Sequence, residues 1–214
     1  MKITIQMLRD RAACAEGMAW VKSNLPMGAD YQDFLDALAA ADKPEWAAWL
    51  LAQFGTTKDT KIITEIVPGI KHFFATGQLV FNCDVSVSGY IQAGRGIKAG
   101  RGIKAGRGIK AGEGIEAGRG IEAGRGIKAG EGIEAGWGIE AGWGIEAGWG
   151  IETGRGIKAG FSIQCKLSLS AALRIFAGTI SWRLPQPKET VISCAKLLRG
   201  TVAYGKLEET CHQS

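Results

Sequence analysis

Arginine and tryptophan recur in this chain in one setting, a single residue between two glycines, six positions from the next. Arg95, Arg101 and Arg107 open the series, and Trp137, Trp143 and Trp149 stand later in it. Residues of these types do recognition chemistry. A guanidinium offers a planar fork of donors to phosphate or carboxylate, and tryptophan and arginine dominate the energetics of protein interfaces. Tryptophans flanked by glycines cannot all enter one narrow core, so the spacing predicts solvent-facing side chains that bind a partner. These six residues are the candidate partner-binding set. Stacking of tryptophan on arginine is the structural alternative.

Residues for covalent or acid–base chemistry are sparse. The two histidines, His72 and His212, lack a neighbouring nucleophile and acid, which argues against a hydrolytic triad. Gly-Arg-Gly recurs without the Lys-Ser/Thr that a phosphate-binding loop needs. Glutamates abound, but periodically, as charge ladders would be. Cys14, Cys83, Cys165, Cys194 and Cys211 are scattered and odd in number, so neither a zinc site nor a disulfide framework is signalled. The expectation is a protein that is not an enzyme and carries no cofactor.

The element that must position the candidates is a six-residue unit, Ile-x-Ala-Gly-x-Gly. Isoleucine stands at every sixth position from Ile91 to Ile163, with alanine two residues later except at Thr153 and Cys165. Two glycines per six residues exclude a stable helix, and the glycine spacing and lack of proline exclude collagen. In a short strand Ile and Ala share one face and the middle residue takes the other. Gly-x-Gly then forms a corner, through glycine's tolerance of positive φ and of close approach. One unit buries too little alone, so coils must stack over a shared core. The fold class is mainly β, a β-solenoid (parallel β-helix). The frame extends backwards through Val85 and Leu79 to Phe73, and forwards through Leu169 to Ile175. Coils of 12 or of 18 residues both fit it. Left-handed hexapeptide β-helices of acyltransferases are similar in part. There a small residue follows the aliphatic one by four positions, where this chain has Arg95, Glu113 or Trp137.

Charge is segregated along the repeat. Residues 91–128 hold nine basic and three acidic side chains, and residues 129–164 two basic and five acidic. Lys and Glu can form ladders across coils. A 12-residue coil would stack Lys104, Glu116, Lys128 and Glu140 in alternating sign, each exposed pair contributing about 0–1 kcal/mol. Alternatively two copies pair antiparallel, basic half on acidic half, or the corner rows bind a partner.

The flanks differ. Residues 1–55 predict a helical domain: one helix from Met7 to Leu25, a second from Asp30 to Ala41, and a third opened by Asp42 as cap with Pro44 and closed by Gly55. Five basic against seven acidic residues there disfavour phosphate contacts, so a cap or docking module is expected, and nucleic acid is a weakly indicated partner. Residues 56–72 are a connector with an edge strand near Ile62, residues 73–178 the solenoid, and residues 179–214 a separate β cap with a frayed tail from Glu208. Strands are expected at Thr179–Leu184, Thr190–Ser193 and Gly200–Lys206. No signal peptide or membrane-length apolar run is evident, which predicts a reduced, cytoplasmic protein with inert thiols and no membrane partner.

The chain resembles a family of uncharacterised proteins of enterobacterial phages and prophages. The likeness rests on Asp42-Lys43-Pro44-Glu45-Trp46-Ala47, Trp49-Leu50-Leu51, the Gly-Ile-x-Ala-Gly units, Ile175-Phe176-Ala177-Gly178, Trp182-Arg183-Leu184-Pro185 and Gly200-Thr201-Val202-Ala203-Tyr204-Gly205. A phage origin implies a protein that blocks a host defence component in the host cytoplasm, and the segregated charge and solvent-facing tryptophans make a non-catalytic binding protein the expectation. The alternatives are a structural or assembly module of the virion and a nucleotide-binding sponge.

Overall fold

The computed structural model describes residues 1–210, so the expectations for His212, Cys211 and the end of the tail lie outside the described residues. The repeat forms a parallel β-solenoid of about eight coils, as the isoleucine frame predicts. Every unit from Ile91 to Cys165 makes a three-residue strand whose outer residues are buried and whose middle residue points outward. Ile109 pairs with Ile91 on one side and Ile127 on the other, so each coil takes 18 residues in three strands. Of the two coil lengths that the frame allows, 18 is the one found, so Lys104, Glu116, Lys128 and Glu140 do not stack in alternating sign. Isoleucine lies on isoleucine and alanine on alanine throughout, forming one continuous core. Burying each isoleucine contributes about 1.5–3 kcal/mol, and shape-matched neighbours keep the column dense.

Three faces result. The first holds Phe73–Ala75, Ile91–Ala93 and the strands at 18-residue steps to Ile163–Cys165. The second holds Gln78–Phe81, Ile97–Ala99 and so on to Ile151–Thr153. The third holds Val85–Val87, Ile103–Ala105 and so on to Ile157–Ala159. The corners are also laddered: Trp137 N–H donates to Arg119 O, and Arg155 N–H to Trp137 O.

The repeat glycines serve close approach and not, as expected, positive φ. Positive φ among glycines is confined to Gly28, Gly55, Gly69, Gly178, Gly200 and Gly205. The first glycine of a corner lies against the coil before it: a Cβ at Gly148 would stand 1.8 Å from Gly130 O. The second glycine is roomier, with 3.6 Å from Gly132 to Gly150 O.

The ladder runs past the expected borders. Thr60–Ile63 pairs with Gln78–Phe81 as an earlier partial coil. After Ser168–Ala177, which spans the second and third faces, residues 179–190 leave the ladder without forming the expected strand at 179–184. The chain then rejoins: Val191–Cys194 continues the first face, Lys196–Tyr204 the other two, and Lys206–Glu209 the first again. The C-terminal β segment thus carries the same parallel ladder on to Glu209. Lys196–Tyr204 also passes straight through the turn expected at Leu197-Leu198-Arg199-Gly200.

The head has four helices: α1 (Ile5–Asp10), α2 (Ala15–Asn24), α3 (Tyr31–Ala40) and α4 (Pro44–Phe54). The single helix expected over 7–25 is broken, because Ala12 has φ +54° and Cys14 Sγ caps α2 by accepting from Gly17 N–H at 3.3 Å. Asp42 does not cap α4, whose N-cap is Lys43. Its carboxylate instead holds Lys71 Nζ at 2.6 Å and His72 Nε2 at 2.8 Å. Leu8, Phe34, Leu35, Leu38, Leu50 and Leu51 form the bundle core, which Phe74 of the first face enters. The bundle therefore sits on the first face at its N-terminal end.

Candidate functional site

The six candidates lie on corners, and an 18-residue coil distributes them. Trp149 belongs to the first corner, between the first and second faces. Trp137 belongs to the second corner and Trp143 to the third, between the third and first faces. Consecutive in the repeat, they form a belt around the rod at one level, not one row. Arg95, Arg101 and Arg107 are likewise one per corner, so they do not converge on a shared phosphate. Each also has a partner of its own. Arg95 Nε donates to Glu113 at 2.8 Å, Arg101 to Asp84 at 3.2 Å, and Arg107 lies over Tyr90 at 5.5 Å and 4.0 Å from Glu45. The Gly102 N–H, ahead of Arg101, holds the Asp84 carboxyl below its usual range.

Corner by corner, the tryptophans have different settings. Trp137 is sandwiched along the second corner, with Arg155 4.9 Å and Arg119 5.6 Å from its ring centre. Trp143 lies between Arg125, at 5.1 Å, and Phe161, whose ring is stacked 6.2 Å away. Trp149 follows Glu131 and precedes Leu167 on the first corner. Stacking thus orders two of the rings, but all three remain exposed, at 49, 43 and 55 %. The stacking on cationic or aromatic neighbours is found for Trp137 and Trp143, and all three rings face solvent.

The mid-strand residues form ladders at the 18-residue step. Lys98 meets Glu116, Lys104 meets Glu122, Lys128 meets Glu146 and Lys158 meets Glu140, at 2.7–2.8 Å. The second face and first corner are acidic, with Arg95 and Lys98 against Glu113, Glu116, Glu131, Glu134 and Glu152. On the third face the outward column reads Lys104, Glu122, Glu140, Lys158, Phe176 and Tyr204.

Apolar side chains are exposed at the C-terminal half of the third face and its corners, as they also are at Trp149 and Leu167 on the first corner, at Leu198, and at Ile62, Val67 and Ile70 of the connector. Phe176 and Tyr204 are neighbours on the third face, Leu173 follows Arg155 on the second corner, and Trp182 packs against Phe161 beyond the third. Leu173 is 60 % and Tyr204 48 % exposed. The sequence pattern gave no sign of this surface, because its members lie outside the perfect repeat and meet only through the coil. An apolar cleft between α1, α2 and α4, lined by Leu8, Met18, Val21, Trp46 and Trp49, was also missed.

Other reactive groups serve the fold. His72 is buried, with Nε2 against Asp42 and Nδ1 accepting from Tyr90 N–H. Burial pushes the Cys165 thiol up to about 12 and raises that of Cys194. Cys14 departs from the expected buried thiol, being exposed. Among the described residues no three His, Cys, Asp or Glu side chains gather as metal ligands, and no helix is long and apolar enough to cross a membrane.

No curated protein and no solved structure matches this chain. Residues 1–56 match the family model described as the YdhT N-terminal domain. The four-helix head is therefore similar to YdhT N-terminal domains, and the likeness ends where the solenoid begins.

Proposed function

We propose that the chain is a non-catalytic binding protein that docks a protein partner on the aromatic corners of the solenoid. The observation that carries this is the exposure of Trp137, Trp143 and Trp149 in a series of corner positions that is otherwise charged from Arg95 to Arg155. Exposed tryptophans held in fixed orientation, with cations beside two of them, have the composition of an interface hot spot. A rigid coil also holds them in place before binding, which lowers the ordering cost of association. Given the resemblance to phage and prophage proteins, the partner is a host protein, and blocking it is the activity.

The test is capture from host lysate with the full chain. Wild type retains a partner, and the triple Trp137→Ala, Trp143→Ala, Trp149→Ala variant loses it while its circular dichroism stays β-rich. Equal capture by the folded triple variant overturns the assignment.

A further inference from the structure

We propose that the third face is the seat of a second copy of this chain, packed antiparallel about a two-fold axis that passes between Glu140 and Lys158. This rests on the protein-binding reading of the aromatic corners and names the occupant of one face.

The geometry follows from the ladder. On the third face Glu140 and Lys158 occupy successive coils in register, about 4.8 Å apart along the rod. A two-fold axis parallel to the strands reverses the order of coils and keeps each corner opposite its own copy. Glu140 then faces Lys158 of the second copy, and Lys158 its Glu140. The two intrachain ion pairs, each 2.7 Å, become a square of alternating charge.

The same axis pairs the flanking corners. On the second corner Trp137 faces Arg155, the same partner type that stacks on it within the chain. On the third corner Trp143 comes opposite Phe161 together with the Trp182 and Arg183 side chains that pack on that ring, so it meets aromatic edges and a cation. One coil further out, Arg119 lies against Leu173 and Glu122 against Phe176. Two coils out, Lys104 meets Tyr204, a cation over an aromatic ring. The exposed apolar side chains of each rod are thereby laid on the charged half of the other; no like charges meet among the mid-strand residues of the central four coils, while Arg174, next to Leu173, comes near Arg119.

The other faces are less suited. The second face carries Glu116, Glu134 and Glu152 in consecutive coils, so turning it end for end about that run places glutamate on glutamate. The first face carries the helical bundle, with Phe74 inside its core. A two-fold pairing uses the same patch on both subunits and closes on itself, which is the usual route to a finite dimer. Trp149 and Leu167, on the corner opposite the third face, stay open for a different protein.

Sedimentation equilibrium of the full chain tests this. Wild type is expected as a dimer that weakens with added salt. Glu140→Lys or Lys158→Glu alone brings like charges together and weakens dimerisation on the order of tenfold or more. The two single variants mixed together, and the double variant by itself, recover the dimer, because the opposite charges again face each other. Recovery also shows that the single variants were folded. A wild type that stays monomeric at high micromolar concentration overturns the proposal, as does a dimer indifferent to both reversals. Either failure leaves the protein-binding reading standing if Trp149→Ala with Leu167→Ser abolishes capture of a host protein. A dimer that responds to the charge reversals, in a chain that captures no host protein, separates the two the other way.

Discussion

The side-chain amide of Gln32 meets the edge of Phe74 as a neighbouring strand would. Gln32 Nε2 donates to Phe74 O at 2.8 Å, and Gln32 Oε1 accepts from Thr76 N–H at 3.0 Å. In a parallel ladder one residue bonds the carbonyl of residue i and the N–H of residue i+2 on its neighbour. One side chain on α3 therefore supplies both bonds that the missing coil would have made. An open edge invites pairing with other chains, and the helical head closes this one.

Gln32→Ala leaves the Thr76 N–H without its partner beneath the bundle, and Phe74 O with only the Lys61 ammonium at 3.5 Å. The expected loss is about 1–3 kcal/mol, read as a lower denaturant midpoint. Hydrogen exchange at the Thr76 amide should rise more than at Ala93 or Ala111. Unchanged protection at Thr76 would show that the bundle, and not the amide, shields the edge.

The two glycines of a corner should respond differently to alanine. At Gly148 or Gly130 a Cβ lies 1.8–2.0 Å from a backbone carbonyl of the preceding coil, so the coils must part. Overpacking of this kind costs about 1–3 kcal/mol, occasionally more. At Gly132, with 3.6 Å to the nearest atom, the cost should be much smaller. Thermal unfolding of Gly130→Ala beside Gly132→Ala makes the comparison within one corner.

Attachment of the head should weaken in acid. Asp42 is held down to about 2, first by its hydrogen bond from Lys71 and then by that from His72. A carboxyl with a folded pKa below its unfolded value, about 3.9, stabilises above that value and loses the contribution as pH falls. The window is thus from about pH 4 down to about 2. Asp42→Asn should remove this part of the pH dependence, followed by tryptophan fluorescence, since Trp20, Trp46 and Trp49 report on the bundle. An unaltered acid profile in the variant would assign the transition elsewhere.

Thiol labelling should divide the cysteines by place. Cys14 is exposed, whereas Cys165 and Cys194 are buried in adjoining coils with raised pKa values. Thiolate is the reactive form, so an alkylating reagent should modify Cys14 in native protein and reach the buried pair only in denaturant. Peptide mapping reads the pattern, and early modification of Cys165 would mean that the C-terminal coils open.

The isoleucine frame was enough to identify the solenoid, because burial of every sixth residue admits no helix and few other strand arrangements. Coil length was hidden, since six divides 12 and 18 equally. A 12-residue coil would have stacked Lys104, Glu116, Lys128 and Glu140 in alternating sign, while the actual pairs, such as Lys104 with Glu122, are as consistent with sequence but less conspicuous. That one ambiguity also concealed where the tryptophans lie: Trp137, Trp143 and Trp149 look like a row until three strands per coil send them to three corners. In the head, Pro44 and Gly55 marked α4 correctly. Asp42 looked like its cap, and only the tertiary contact with Lys71 and His72 shows why it is not. The C-terminal strands were missed as solenoid because residues 179–190 shift the frame before the ladder resumes.

Three units to a coil give this rod an arithmetic of its own. Removing 18 residues from the perfect tract would shorten it and leave every later side chain on its original face. Removing six would turn all that follows by a third of a revolution, carrying Phe176 and Tyr204 to a different side from the one they now share with Lys104. Length and facing are thus separately adjustable by recombination among near-identical units, with the head at one end undisturbed by either change.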